Sequence, residues 1–184
     1  GGPTEREGQL GALICERFPA VERLRFCNSG TEANVLALSS ARAHTGRTDI
    51  MVIDGSYHGG VLSFAGDNPL NAPFPTHRIP FNDLKTATET INGVGGKLAA
   101  LIIEPMIGAG GCIPADVNFL EGLRRATEEA GALLIFDEVM TSRHGSSGLH
   151  GMYGLGPDLV TFGKYVGGGL SFGAFGGRAD ILDR

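Results

Sequence analysis

Lysine is scarce in this chain: there are three in 184 residues, at positions 85, 97 and 164. Cysteine is as rare. Cys15, Cys27 and Cys112 are too scattered for a disulfide framework, and no CxxC pair occurs. Buried, reduced thiols in a cytosolic, cytoplasmic protein are therefore expected. The longest apolar run is the six residues Leu98 to Ile103, whereas a membrane-spanning helix needs about 20. No basic-then-apolar stretch stands at the start of these residues, so a secretory signal is not expected. Positive charge is also short. With 15 Lys plus Arg against 20 Asp plus Glu, the formal charge is −5, which gives no electrostatic case for nucleic acid. The five histidines, at 44, 58, 77, 144 and 150, show no metal-ligand spacing, and HExxH is missing. Neither GxGxxG nor a P-loop occurs: a P-loop glycine would have to stand at Ile91 or Asp158.

Glycine, by contrast, is abundant. Thirty of 184 residues are Gly, about twice the usual share, and seven of the fifteen positions from Gly163 to Gly177 are Gly. Apolar residues make up 42%, so this is no flexible linker; the backbone here is expected to approach something closely. Gly169-Leu-Ser171-Phe-Gly173 matches GxSxG, but no histidine follows Ser171, as the hydrolase order would require.

The pattern predicts an α/β fold. Capping boxes at Thr4/Glu7 and Ser29/Glu32 open helices over about 5–18 and from 30 to a stop at Gly46. Ile50–Ile53 reads as a strand. Prolines at 69, 73, 75 and 80 mark an irregular stretch, and a modest helix follows at 84–91. Leu98–Ile103, Ala132–Phe136 and Leu159–Phe162 are continuous apolar runs, as in parallel strands buried on both faces. A helix near 117–130, stopped by Gly131, links the first two, so the expected sheet is mostly parallel with flanking helices.

Each of these three strands ends in an ionisable group: Glu104, Asp137 or Lys164. Ligands in such sheets sit outside the carboxyl ends of the strands. Lys85 and Lys97 read as solvated surface. Lys164 is expected to be partly desolvated, with a lowered pKa and a nucleophilic amine, unless it merely caps strand-end carbonyls. Asp137 needs a cationic or hydrogen-bonding partner, and a protonated pyridine nitrogen would serve. Glu104 is a candidate for similar work, although Glu-Pro is also a common way to leave a sheet. Gly30 and Thr31 open a helix whose first N–H groups can bind phosphate; Ser29 caps that helix, helps hold the phosphate, or does both. Phosphate cradle, carboxylate and amine together outline a pyridoxal 5'-phosphate site.

The residues then resemble a known family. NSGTEAN at 28–34, GSYHGG at 55–60, Glu104-Pro105, IFDEVMTSR at 135–143 and FGKYVGGGLSFGAFGG at 162–177 are similar, in order, to motifs of the class III aminotransferases of fold type I. The similarity lies nearest the branch that holds glutamate-1-semialdehyde aminomutase and the β-amino acid (β-phenylalanine type) aminotransferases. TSR at 141–143 and SFGAFGG at 171–177 resemble the latter more. The resemblance implies a Schiff-base role for Lys164 and pairing of Asp137 with the pyridine nitrogen. It puts Val139 on one ring face and Tyr57 on the other, unless both are ordinary core. Ser29, Gly30 and Thr31 would hold the phosphate, and His58 would lie in the cofactor region. The family often has Asn or Gln five residues after the Glu of Glu-Pro; this chain has Ala109. The resemblance further implies ping-pong transfer between a small-molecule amino acid, of β type, and a keto acid, by a protein that is a homodimer at full length. The aminomutase reaction and a non-catalytic fragment of the fold are the alternatives. Residues 1–184 would be the large, cofactor-binding domain. An N-terminal segment with a carboxylate-binding arginine, a C-terminal small domain and a phosphate-contacting Thr from the partner subunit would lie outside it.

Overall fold

Period-two alternation in the buried strands sets the layers. In β2 (Asp49–Ile53), Met51 and Ile53 face one core and Ile50 and Val52 the other. The computed structural model describes residues 4–183. In chain order the remaining main elements are α1 (Glu5–Arg17), β1 (Arg23–Cys27), α2 (Gly30–Thr45), β3 (Thr76–Ile79), α3 (Leu84–Val94) and β4 (Leu98–Ile103). A small two-stranded ribbon follows, β5 (Met106–Ile107) with β6 (Ile113–Pro114). Then come α4 (Val117–Ala130), β7 (Leu133–Asp137), α5 (Gly148–Met152), β8 (Leu159–Gly163), β9 (Gly173–Gly177) and α6 (Ala179–Leu182).

The seven-stranded sheet has the order β1-β9-β8-β7-β4-β2-β3. From β8 to β3 all neighbours are parallel. Strand β9 pairs antiparallel with both β8 and β1, so it alone runs against the other six. The expected α/β, mostly parallel sheet with flanking helices is what forms. On one face, Ala33, Ala37, Leu38 and Ala41 of α2 pack on Ile102, Ile135 and Leu159. Their short side chains bring α2 close to the strands. On the other, α3 and α4 cover Leu101, Ile103, Leu134 and Phe136, while Ile14 and Phe18 of the α1 end cover Val160 and Phe162.

Most expected elements fall within a residue or two of their places. Three strands of the seven-stranded sheet, and both strands of the ribbon, were not expected. Strands β1 and β3 lie at the two edges and carry polar residues. Strand β9 reads Gly-Ala-Phe-Gly-Gly, yet is wholly buried. A Cβ on Gly173 would stand 2.1 Å from the Ser29 carbonyl oxygen, and one on Gly177 2.1 Å from that of Asp158. These glycines are the close approach that the composition implied. The thiols are free, but Cys112 is exposed and Cys15 and Cys27 are only half-buried, so the expectation of buried cysteines is corrected. Among the described residues no helix is long and apolar enough to cross a membrane, and no cluster of metal-ligating side chains occurs.

Candidate active site

Strand β7 delivers Asp137 to the carboxyl edge of the sheet, where the side chain is 5% exposed. Its Oδ2 accepts a hydrogen bond from Asn34 Nδ2 at 2.8 Å and faces His58 Nδ1, also at 2.8 Å. A carboxylate only accepts, so His58 donates from Nδ1. Oδ1 accepts from the Val139 N–H at 3.0 Å. Asn34 also donates to the His58 carbonyl at 2.9 Å, and its own oxygen accepts from Thr161 Oγ1 at 2.7 Å. The carboxylate is thus oriented from α2, β8 and the 55–60 loop at once. No Lys or Arg side chain among the described residues forms an ion pair with it.

Strand β8 ends beside β7 and delivers Lys164 to the same edge. Lys164 has φ +48°, a left-handed conformation that costs a non-glycine residue about 1–3 kcal/mol and concentrates at functional sites. Its side chain is exposed, so the expected partial desolvation is corrected: the amine stands in the open mouth of the site. Lys85 and Lys97 are exposed surface, as expected.

Helix α2 supplies the third part. Ser29 Oγ accepts from Glu32 N, and the Glu32 carboxylate accepts from the Asn28 N–H. Ser29 thus caps the helix with an Oγ lone pair, its O–H remaining a free donor, and it does not line the cavity described below. The Gly30 and Thr31 N–H groups have no carbonyl one turn back and do line it. Gly59 packs so tightly on this end that a Cβ there would stand 2.2 Å from Thr31 Oγ1. Gly30 is held in the same way by Val139, whose Cγ1 is 2.8 Å from where a Cβ would stand.

These groups surround one open cavity of about 390 Å³, lined by Gly30, Thr31, Tyr57, His58, Glu104, Asp137, Val139 and Lys164, with Asn34, Gly59, Gly108, Ala109 and Met140. The volume is within the range of small-molecule sites. Tyr57 is 44% exposed and Val139 7% exposed. Glu104 ties two loops together, accepting from the Tyr57 N–H at 3.1 Å and the Gly108 N–H at 3.2 Å. Burial pushes its carboxyl pKa up and the nearby Asp137 adds to that, while His58 and the two amides pull it down. A larger cleft, about 560 Å³, lies at the opposite ends of the strands, lined by Arg47, Arg124 and Arg178. Those arginines are already bound to carbonyls or carboxylates.

Sequence reasoning missed Asn34, Thr161, Gly108 and Met140. Asn34 carried a signal: it is a polar residue on the α2 face otherwise made of Ala33, Ala37, Leu38 and Ala41. Thr161 carried none, being a β-branched residue inside an apolar strand.

An α2 N-terminus free to bind an anion, a buried carboxylate without a fixed cation and an amine at the mouth fit pyridoxal phosphate. The fold is that of the pyridoxal-phosphate-dependent transaminases. Residues 3–184 match the family model for aminotransferase class-III. The chain is 54% identical over 177 residues to the β-phenylalanine transaminase of Variovorax paradoxus, covering 96% of this chain and 41% of that protein. It is 44% identical over 200 residues to a glutamate-1-semialdehyde 2,1-aminomutase of Brevibacillus brevis, covering 100% and 47%. The crystal structure of the V. paradoxus β-phenylalanine aminotransferase superposes with a TM-score of 0.97 at 53% identity, over 99% of this chain and 43% of that one. A transaminase with bound pyridoxal phosphate superposes at 0.91 and 32% identity, over 99% and 46%. The chain belongs to the class III aminotransferase family, whose cofactor is pyridoxal phosphate. It spans under half the length of these relatives.

Proposed function

We propose that these residues form the cofactor-binding large domain of an aminotransferase that moves an amino group from an amino acid of β type to a keto acid. The observation that carries the reading is that Lys164, Asp137 and the α2 N-terminus line one cavity. When bound, the cofactor supplies an aldehyde that condenses with amines and a protonated ring that takes up an electron pair. The Gly30 and Thr31 N–H groups and Thr31 Oγ1 bind its phosphate. The Asp137 carboxylate holds the proton on the ring nitrogen, and Asn34, His58 and Thr161 hold Asp137 in line. Val139 and Tyr57 would flank its ring. Lys164 Nζ would hold the cofactor through its aldehyde and, when free, would serve as the base and acid that moves the proton at the substrate carbon. Ala109 offers no side-chain donor to the cofactor's phenolic oxygen. The full-length protein is a homodimer in this reading.

To test this, the protein is mixed with pyridoxal phosphate, reduced with borohydride and digested. The pyridoxyl label is expected on Lys164 and lost in Lys164→Ala, with turnover down by about 10³-fold or more. A label on Lys85 or Lys97 alone, or none, sinks the reading. The identity to the B. brevis aminomutase favours one rival reaction. Assay of β-phenylalanine with a keto acid against glutamate-1-semialdehyde decides, and turnover of the second alone makes the protein an isomerase.

A further inference from the structure

Glu138 follows Asp137 but points into the opposite side of the strand end, where it is 0% exposed. It has no part in the chemistry above. Its Oε2 accepts from the Leu149 N–H at 2.9 Å and from Thr141 Oγ1 at 3.1 Å. Its Oε1 accepts from the His150 N–H at 2.8 Å and from His150 Nδ1. His150 is itself 2% exposed, with its ring near those of Phe18 and Phe136. No Lys or Arg pairs with this carboxylate among the described residues. A buried charge held by neutral donors and one histidine loses much when any of them leaves.

These bonds cinch the loop from 141 to 150 onto the end of β7. A Cβ on Gly148 would stand 2.8 Å from Glu138 Oε2, so the loop is drawn in to contact. From outside, Arg17 of α1 donates to the carbonyls of Ser142 and Ser146, both at 2.9 Å. The cinched loop and the residue that leads into it reach the site at two points. Met140 lines the cavity. The Arg143 guanidinium lies 5.0 Å from the ring centroid of Tyr165, the residue after Lys164. The Tyr165 hydroxyl is buried without a hydrogen-bond partner, so its ring is held by contacts such as this one. The turn that Tyr165 belongs to, Lys164–Gly167, carries the left-handed φ of Lys164.

We propose that Glu138 is a positioning residue for Lys164: by binding His150, Leu149 and Thr141 it fixes the 141–150 loop, and Arg143 on that loop clamps Tyr165 and so holds the strained turn that aims the lysine. The inference rests on Lys164 being the amine that carries the cofactor.

The test compares the protein with Glu138→Gln, which keeps the size but removes acceptors, and with Arg143→Ala, an exposed substitution that leaves the core intact. Hydrogen exchange is followed without cofactor. Glu138→Gln is expected to speed exchange by about tenfold both over 141–152 and over 164–168. Arg143→Ala is expected to speed it over 164–168 alone. A merely structural Glu138 would loosen only its own loop. Labelling of Lys164 by pyridoxal phosphate and borohydride is expected to slow by about threefold or more in both variants, with the half-saturating cofactor concentration unchanged. Unchanged exchange over 164–168 in both variants, or labelling at the parent rate, overturns the proposal. Absence of label in the parent protein overturns the aminotransferase reading instead, and the exchange data still decide the clamp.

Discussion

Asp137 and Asp158 stand at opposite ends of the same part of the sheet and are equally buried, each 5% exposed, yet they are satisfied in different ways. Asp158 binds Arg124 through Oδ2 and Arg178 through Oδ1, both at 2.7 Å, and accepts from the Leu134 N–H at 2.8 Å. Its charge is neutralised within the chain. Asp137 is bound by an amide, a backbone N–H and a histidine, and the cavity faces it. Burying a charge costs heavily unless it is paired. One aspartate is paired by the fold with two guanidiniums; the other is oriented by the fold and, in the proposed reading, meets a cation that arrives with a ligand. Burial alone marks neither as functional. What separates them is that guanidiniums hold Asp158, whereas an amide, a backbone N–H and an imidazole hold Asp137 beside a cavity.

The two substitutions should therefore separate stability from function. Asp158→Ala takes the carboxylate from Arg124, leaves Arg178 with Asp180 alone and unpairs the Leu134 amide. A broken buried pair costs about 3–5 kcal/mol, and the partial exposure of both arginines reduces that to about 2–4 kcal/mol. Thermal or denaturant unfolding should show the loss, while the pyridoxyl label on Lys164 stays at the parent level. Loss of label from protein that is still folded would break the comparison. Asp137→Ala strands no guanidinium, so its cost to unfolding should be smaller. A charge-assisted hydrogen bond to the ring nitrogen contributes about 1.5–3 kcal/mol. If it acts mainly in the transition state, turnover should fall roughly ten- to 150-fold, with cofactor binding less affected. Parent-level turnover would remove Asp137 from the mechanism.

The same contrast explains what could be read in the sequence. Strands β4, β7 and β8 are buried on both faces, and burial on both faces leaves a continuous apolar run. Their terminal residues were legible as a set because each breaks such a run with an ionisable group. Strand β9 was illegible because its residues answer to Ser29 and Asp158 backbone atoms that are distant in the chain, and the resulting glycines carry the opposite of strand propensity. The exposure of Lys164 was misjudged for a related reason. An apolar strand predicts burial only for its own length, and the chain turns outward at Gly163. Asp158 shows the limit from the other side: it stands before an apolar strand, at the end away from the cavity, and nothing local announced its ion pairs, because Arg124 and Arg178 reach it from far along the chain.

Glu104 offers the finest probe of the cavity end. Its pKa is raised above that of an ordinary glutamate, first by burial and then by Asp137. A carboxyl with a raised folded pKa binds its proton more tightly in the native state than in the unfolded chain. Its contribution to stability is therefore whole below the unfolded pKa and is lost as pH rises through the folded one. Measured against Glu104→Gln, which cannot ionise, the parent should lose relative stability as pH climbs from about 4.5. The variant gives up one acceptor for the Tyr57 or Gly108 amide, a constant offset that leaves the slope as the readout. A flat difference across that range would mean that Glu104 is better solvated or better paired than its 7% exposure implies. Repeating the comparison in Asp137→Ala sharpens it: with the neighbouring charge gone, the slope should shrink. The Asp158→Ala background, at the far end of the strands, should leave it unchanged.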